Sequence, residues 1–187
     1  MIKSLYAPFK FWSSHGTIWI YSDTHFEDTD CKLMDSNWIT PEEQIKILNS
    51  KAGRNDTLIL LGDVGNPEWI KKLRAEQKIL ILGNHDAGAT KYRHYYFDEV
   101  YEGPLMISEK IILSHEPIYG LDWCLNIHGH DHSRGGRLDK LHYNVCSNTV
   151  NYQPLNLDQF IKRGGLADIP SIHRLTINNA KENPIHG

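Results

Sequence analysis

Two short apolar runs, "TLILLGDVG" at 57–65 and "KILILGNHD" at 78–86, constrain the fold of this chain most. Each is a continuous stretch of apolar residues bounded by glycine and polar residues, as is typical of a strand buried on both faces of a parallel sheet. The segment between them, "PEWIKKLRAEQ", has apolar residues at helical spacing. Strand, helix and strand in this order predict a βαβ unit with two parallel strands.

The segments before this unit predict a strand and a helix. "TIWIYSDTH" at 17–25 is rich in β-favouring residues and ends in polar ones, so it predicts a first strand that runs into a loop. Residues 40–53 predict a helix with Thr40 as its N-cap, Pro41 at its first position and Glu43 completing a capping box.

The pattern changes in the second half of the chain. Ser108-Glu109-Lys110 predicts the turn of a hairpin, and two further strands and a late helix follow, within 122–130, 141–150 and 157–165. The tail, 173–187, predicts at most one weak strand. Parallel strands first and antiparallel pairs later indicate an α/β protein with mixed sheets and outer helices, not a uniform doubly wound sheet.

Length and composition favour one soluble globular domain, 1–187, with a real hydrophobic core. Hydrophobic residues make up 40% of the chain and charged residues 23%, and the formal net charge is −3. Because there is no basic excess, non-specific binding to nucleic acid or to an anionic membrane has no support. Nucleic acid is expected here only as a possible substrate.

The lack of a recognisable signal peptide and the spacing of the cysteines predict a cytoplasmic location. The first sixteen residues mix charges and aromatics and lack the apolar core of a signal peptide. The longest apolar runs are too short to span a bilayer. The three cysteines, Cys31, Cys124 and Cys146, form no C-x-x-C pair, which is typical of reduced thiols that serve packing.

Polar clusters follow the predicted core strands at the point where each strand ends. They are Ser22-Asp23-Thr24-His25, Gly62-Asp63, Gly83-Asn84-His85-Asp86, Ser114-His115 and Gly129-His130-Asp131-His132. Taken singly, each is more typical of a turn, a cap or a hydrogen-bonded histidine than of a ligand. Because ligands of open α/β sheets bind beyond the carboxyl ends of the strands, we expect the five clusters to converge.

The number of donors in these clusters predicts two metal ions. Seven side chains can bind a metal: Asp23, His25, Asp63, Asn84, His115, His130 and His132. One tetrahedral ion takes about four ligands. Two ions roughly 3.5–4 Å apart that share one carboxylate would use all of them, and Asp63, in the middle cluster, is the natural bridging residue.

The five motifs, in this order, resemble those of the calcineurin-like metallophosphoesterase family. The pattern is D-x-H, G-D, G-N-H-D, H and G-H-x-H, and it spans residues 23–132. The resemblance implies a four-layer α/β/β/α sandwich of two mixed sheets with outer helices. It also implies a phosphoesterase with a dinuclear site at the strand ends.

The resemblance also assigns roles to individual residues. It implies a first metal held by Asp23, His25, Asp63 and His132, and a second held by Asp63, Asn84, His115 and His130. His85 matches the family's non-ligand catalytic histidine, which contacts the phosphate and assists the leaving group, with Asp86 able to orient its ring. In "NIHGHDHS", therefore, His130 and His132 serve different ions, whereas His128 matches no ligand position.

The expected chemistry is hydrolysis of a phosphomonoester or phosphodiester. Two divalent ions lower the pKa of a bridging water, so that hydroxide is available for in-line attack, and they polarise the phosphoryl oxygens. Nitrogen and oxygen donors without thiolate favour Mn, Fe, Zn, Co or Ni over Mg or Ca, and we take Mn²⁺ as the favoured ion. The expected partner is a small phosphorylated substrate. The sequence leaves the substrate and the oligomeric state open.

Two departures from the family pattern stand out. Small bacterial and phage members continue the first motif as Gly-His after Phe, whereas here Phe26 is followed by Glu27 and Asp28. Asn66 stands where some members have a second Asp. In the loop after His85, Lys91 or Arg93 could meet a phosphate, although a solvated loop is an equally good interpretation.

Two other functions remain open from the sequence. A non-catalytic scaffold of the same fold would bind a protein partner, and loss of ligands or of the catalytic histidine would be its signature; none is lost here. A dedicated nuclease would carry a basic stripe or an added DNA-contacting domain, and the chain has neither.

Overall fold

The computed structural model describes residues 16–86, 95–170 and 172–184, together with residues 3, 4, 9, 12 and 92. One of its two sheets has five strands in the order β11-β2-β3-β4-β5. The strands are β2 (Ile18–Tyr21), β3 (Thr57–Leu60), β4 (Gln77–Ile81), β5 (Glu99–Tyr101) and β11 (Leu155–Asn156). Strands β2 to β5 are parallel, as predicted for the first half of the chain, and β11 pairs antiparallel with β2.

The second sheet has six strands in the order β1-β6-β7-β8-β10-β9. They are β1 (Lys3–Ser4), β6 (Leu105–Ser108), β7 (Ile111–Leu113), β8 (Leu125–His128), β9 (Gly136–Arg137) and β10 (His142–Asn144). The β6–β7 hairpin is antiparallel, as predicted. Strands β7, β8 and β10, however, are parallel to one another, because long loops return the chain to the starting edge of the sheet.

Helices are few and mostly short. They are α1 (Cys31–Met34), α2 (Pro41–Lys51), α3 (Leu157–Lys162) and α4 (Ile172–Glu182), with 3₁₀ turns at Pro67–Lys72 and Asn148–Val150. None of the helices in the described part of the chain is long and apolar enough to cross a membrane.

Two predicted elements differ from the structure. The helix expected between β3 and β4 is a 3₁₀ helix of six residues, Pro67–Lys72, because loops at 61–66 and 73–76 take up the rest of the connection. The tail, expected to give at most a weak strand, is the helix α4. Its alternating Leu175, Thr176 and Ile177 resemble a strand, but Ala180, Lys181 and Glu182 favour a helix.

The hydrophobic core lies between the two sheets and continues under the helices. Ile20, Ile59 and Ile79 face the second sheet, where Leu113 and Ile127 belong to the same buried cluster. The opposite face of the five-stranded sheet packs against α2 and the 3₁₀ helix through a second buried cluster. This arrangement confirms the predicted sandwich of two mixed sheets with outer helices.

A loop covers the outer face of the six-stranded sheet in the part of the chain that the structure describes. The backbone N–H of Ile118 donates to Asn126 Oδ1 on β8, and the Ile118 carbonyl oxygen lies 3.0 Å from His142 Nε2 on β10. The Tyr119 ring contacts the His142 ring. Polar groups of β8 and β10 on this face are therefore satisfied by a loop rather than covered by a helix.

The predicted capping box of α2 is confirmed. Thr40 Oγ1 accepts a hydrogen bond from the Glu43 N–H at 3.3 Å, and the Thr40 N–H donates to the Glu43 carboxylate at 2.9 Å. Thr40→Ala removes one acceptor at the helix start, so we expect the free energy of unfolding to fall by about 1 kcal/mol. Urea denaturation measures this loss. Glu42→Gln, in the same exposed turn, is the control and should change stability less; equal losses would contradict the role of the cap.

Candidate metal centre

The seven predicted ligands lie together at one edge of the sandwich. Each follows the carboxyl end of a strand: Asp23 and His25 after β2, Asp63 after β3, Asn84 after β4, His115 after β7, and His130 and His132 after β8. The ends of β2 and β10 join the two sheets here through a parallel bridge between Ser22 and Cys146. The predicted convergence of the clusters is therefore present in the structure.

A first group of ligand atoms comes from Asp23, His25 and Asp63. One such atom from each residue lies within 4.8 Å of the other two, and all three residues are buried. Asp23 Oδ1 and His25 Nε2 are buried without a hydrogen-bond partner. His132 Nε2 lies 3.6 Å from Asp23 Oδ1, so His132 faces the same space.

A second group comes from Asp63, Asn84, His115 and His130. His115 Nε2 lies 2.8 Å from Asn84 Oδ1, 3.1 Å from His130 Nδ1 and 3.3 Å from Asp63 Oδ2. His130 Nδ1 lies 3.1 Å from Asn84 Oδ1. Four side chains thus direct nitrogen or oxygen atoms at one small space.

Asp63 belongs to both groups. Its Oδ2 atom lies 3.6 Å from His25 Nε2 on one side and 3.3 Å from His115 Nε2 on the other. Its Oδ1 atom accepts a hydrogen bond from the His85 N–H at 2.9 Å, which fixes the plane of the carboxylate. One carboxylate therefore stands between two sets of candidate ligand atoms.

The donor atoms fit a divalent transition metal. Metal–ligand bonds of about 2.1 Å place neighbouring ligand atoms roughly 3.0–3.4 Å apart, close to the separations around His115 Nε2. Hydrogen bonds alone do not satisfy this arrangement, because atoms that accept outnumber the protons available to them. The partnerless Asp23 Oδ1 and His25 Nε2 likewise need a cation or a proton that no neighbouring residue supplies.

The electrostatics of the site's own side chains show the same deficit of positive charge. Burial lowers the pKa of His115, but the hydrogen bond to Asp63 and the charges of Asp23 and Asp63 outweigh it and raise this pKa to about 9. Burial raises the pKa of Asp63, but the hydrogen bond and charge of His115, the His85 N–H and the charge of His25 together lower it more, so the carboxyl remains ionised. A proton held on His115 thus supplies part of the charge that a cation would bring.

The backbone around the site is strained. Asp23, His25, Asp63 and His130 all have positive φ, between 40° and 67°, a region that costs residues other than glycine free energy. Hydrogen bonds hold these conformations: the Asp23 N–H donates to the Gly62 carbonyl and the His25 N–H to the Asp63 carbonyl. Four residues that direct a side chain into the site are thus strained, and Glu27, Asn151 and Tyr152 are other described residues with positive φ.

The site's aspartates are also held by glycines that admit a close approach. A Cβ at Gly129 would lie 2.0 Å from Ser22 Oγ and 2.2 Å from Asp23 Oδ2. The absence of that Cβ lets the His130 N–H reach Asp23 Oδ2 at 3.0 Å. Gly83 does the same for Asp63, whose Oδ1 would lie 2.2 Å from a Cβ at that position.

The two predicted catalytic residues, His85 and Asp86, occupy different positions relative to the site. The His85 side chain is exposed, and its ring lies 5.6 Å from the His25 ring, at the open side of the site. The Asp86 carboxylate does not hydrogen-bond the His85 ring as anticipated. It accepts instead from the backbone N–H groups of Asp63, Val64 and Gly83, so it joins the loops after β3 and β4.

His128 lies on β8 and faces away from the site. Its side chain is fully buried, its Nδ1 lies 2.8 Å from the Gly129 carbonyl oxygen, and its ring contacts that of His142. Burial lowers the pKa of His128, so the ring is neutral. Of the three imidazoles in "NIHGHDHS", His130 and His132 direct nitrogen atoms toward other candidate ligands, whereas His128 does not.

Two residues near the site were missed by sequence reasoning. Asn148 Oδ1 and Cys146 Sγ lie 3.1 Å and 3.2 Å from His132 Nδ1 and hold the ring from behind. Burial raises the pKa of the Cys146 thiol, so it stays protonated. The available signal was the polar end of "HYNVCSN", which follows β10, another strand parallel to β8.

Two cavities flank the candidate centre. One, of about 370 Å³, lies beside His25 and Trp38, and the other, of about 470 Å³, lies beside Asn84 and His115. Each is of a size that admits a small ligand. Lys91 and Arg93, considered as phosphate contacts, lie outside the described residues.

One similar solved structure supports this architecture. A protein of unknown function, AQ665 from Aquifex aeolicus, has a TM-score of 0.63 and 23% identity over 78% of this chain and 98% of its own, which shows the fold. Yfce, a phosphoesterase from E. coli, has a TM-score of 0.43 and 13% identity over 76% of this chain and 82% of its own. A search of curated proteins gave no match.

Two mixed sheets that bring nitrogen and oxygen ligands to one edge define an α/β protein with a candidate metal centre. The model of the calcineurin-like phosphoesterase family matches residues 16–184. The chain therefore belongs to the calcineurin-like phosphoesterase family, a family of phosphoester hydrolases that typically bind divalent metals.

Gly129→Ala tests the close packing around Asp23. A methyl group at this position displaces the Asp23 carboxylate, so we expect a loss of about 1–3 kcal/mol in stability and weaker metal binding. Chemical denaturation and metal titration by calorimetry measure the two effects. Gly103→Ala is the matched control, because a Cβ there meets no atom within 4 Å; equal behaviour of the two variants would contradict the packing argument.

The three histidines of "NIHGHDHS" should differ in their effect on metal binding. We expect His130→Ala and His132→Ala each to weaken the binding of one metal ion, because each variant removes a nitrogen from a different group of candidate ligands. His128→Ala should keep the metal content of the unchanged chain. Elemental analysis after dialysis checks this, and metal loss in the His128 variant would overturn the assignment.

Proposed function

We propose that this chain is a dinuclear-metal-dependent phosphoesterase that hydrolyses a phosphomonoester or a phosphodiester. The observation that carries the proposal is the position of Asp63 Oδ2, which lies within 3.6 Å of a histidine nitrogen from each ligand group. A carboxylate shared between two sets of nitrogen and oxygen donors is the feature that a pair of neighbouring divalent ions needs.

In this proposal each ion has its own ligands besides Asp63. Asp23, His25 and His132 bind the first ion, and Asn84, His115 and His130 bind the second. The partnerless buried atoms of Asp23 and His25 support the first set. The close approach of Asn84, His115 and His130 to one another supports the second set.

Donor chemistry narrows the choice of ions. Imidazole, amide and carboxylate donors favour Mn, Fe, Zn, Co or Ni over Mg or Ca, and Mn²⁺ is the ion to test first. When bound, two such ions supply Lewis-acid charge to the phosphoryl oxygens and activate a water for in-line attack. The protein's own contribution is to hold the ligands before any ion arrives.

His85 is the proposed catalytic residue of this chain. Its ring is exposed at the open side of the site, 5.6 Å from the His25 ring, and its backbone N–H is fixed on Asp63. From there an imidazolium can contact the phosphoryl group and give a proton to the departing alkoxide, a contribution of about 10²–10⁴-fold. Asp86 supports this role by fixing the loop that carries His85, not by contacting its ring.

The donor set also bears on the two alternative functions. A non-catalytic scaffold would not need an exposed histidine beside a complete set of ligands. A dedicated nuclease is disfavoured by the formal net charge of −3. We therefore propose a small phosphorylated substrate. We also propose a cytoplasmic location, which the three free buried cysteines support.

Hydrolysis of p-nitrophenyl phosphate and of its bis-ester tests the proposal. The chain reconstituted with Mn²⁺ should hydrolyse at least one of them. Asp63→Asn should abolish activity and reduce the bound metal, because both ions lose a charged ligand. His85→Asn should abolish activity while both ions remain bound.

Two variants serve as controls for this experiment. Asp122→Asn removes an exposed carboxylate away from the site, and His128→Ala removes a histidine that faces away from it. Both should keep activity. A metal-loaded chain that hydrolyses no member of a broad panel of monoesters and diesters would exclude the phosphoesterase and favour the scaffold.

A further inference from the structure

The turn after His25 carries two carboxylates, Glu27 and Asp28. Glu27 is engaged by the neighbouring loop: its carboxylate accepts from Asn66 Nδ2 and from Trp69 Nε1, the latter at 3.0 Å. These hydrogen bonds lower the pKa of Glu27. Glu27 thus anchors the turn to the loop after β3, and of these two carboxylates only that of Asp28 contacts His25.

Both oxygens of Asp28 are held in place. Oδ1 accepts a hydrogen bond from the Asp30 N–H at 2.9 Å, closing a short turn, and Oδ2 lies 3.1 Å from His25 Nδ1. The carboxylate is therefore fixed by the backbone of its own turn before it contacts the imidazole.

His25 is oriented by this contact. Its side chain is 4% exposed, its backbone is left-handed with φ of 40°, and its Nε2 atom is buried without a partner and faces Asp63 Oδ2. An imidazole whose Nδ1 faces a carboxylate keeps a proton on that nitrogen. The lone pair is then on Nε2, which is directed into the site.

We infer that Asp28 is a positioning residue of the candidate metal centre, which fixes the tautomer and the ring plane of His25 and increases the basicity of its Nε2. The inference rests on the proposed function. A carboxylate behind a metal-binding imidazole is a recognised way to strengthen the metal–nitrogen bond.

The other site histidines are held differently. His115 Nδ1 lies 2.7 Å from the Leu61 carbonyl oxygen, and His132 Nδ1 lies 3.1 Å from Asn148 Oδ1, both neutral acceptors. Among the described residues, only His25 of the seven proposed ligands has a carboxylate behind its ring. Asp28 therefore makes the two ion positions unequal and strengthens the one that contains His25.

Metal titration of the full chain tests this inference. The metal-free protein and its Asp28→Ala variant are titrated with Mn²⁺ in a calorimeter. We expect Asp28→Ala to lower the affinity for one of the two ions by roughly 10–100-fold and to leave the affinity for the other unchanged. Asp28→Asn keeps an oxygen that can accept from Nδ1–H, so it should recover part of the affinity.

Asp30→Ala is the matched control. Asp30 is an exposed acid in the same turn whose side chain makes no capping hydrogen bond, so its removal changes the net charge equally without touching His25. Thermal unfolding of each metal-free variant reports folding, and Asp28→Asn preserves the test if the alanine variant is unstable.

Imidazole NMR gives a readout that is independent of affinity. In the Zn²⁺-loaded chain, the His25 Nδ1–H proton should be protected from exchange, and Asp28→Ala should remove that protection whereas Asp30→Ala should not. If Asp28→Ala matches Asp30→Ala in affinity and keeps the protected proton, the inference fails. If the unchanged chain binds no metal, the proposed function itself fails.

Discussion

Burial of two carboxylates in one small space is the constraint on which the rest of this structure depends. Asp23 and Asp63 are 0% and 2% exposed. One carboxylate oxygen of Asp23 lies within 4.8 Å of one carboxylate oxygen of Asp63. Such charges are unfavourable in a poorly solvated interior unless positive charge or donors offset them. The raised pKa of His115 and the hydrogen bonds from the N–H groups of His85 and His130 meet part of that requirement.

The sandwich meets this requirement by ending parallel strands at one edge. Each of these strands is followed by a loop at this edge, and the bridge between Ser22 and Cys146 connects the two sheets there. Positive-φ residues then turn the side chains inward. The fold stabilises these conformations through the core between the sheets, so the strained part of the chain is small compared with the part that supports it.

Much of this arrangement could be predicted because periodicity and strand-end polarity are local properties. The buried strands β3 and β4, the cap of α2 and the convergence of the ligands all follow from short stretches of sequence. The 3₁₀ helix at Pro67–Lys72, the parallel direction of β10 and the helical tail could not be predicted in the same way. These three features depend on the lengths of the loops and on tertiary contacts, which short stretches of sequence do not specify.

The same distinction applies within the site. The candidate ligands could be proposed from the sequence because each belongs to a motif. The residues that hold these side chains could not be predicted from motifs. Asn148 contacts His132 from a distant segment, and the Asp86 carboxylate accepts hydrogen bonds from backbone N–H groups, which no sequence pattern predicts. Asp28 is near His25 in the chain, but its role depends on the left-handed backbone at His25, which only the folded structure reveals.

The contact of Glu27 with Asn66 and Trp69 has a consequence for the candidate metal centre. It connects the loop after β2 to the loop after β3. Exchange of Glu27 would leave Asn66 Nδ2 and Trp69 Nε1 without this acceptor and loosen the turn that carries Asp28. A change in the loop after β3 therefore reaches His25 through Glu27 and Asp28, although neither Asn66 nor Trp69 is a candidate ligand.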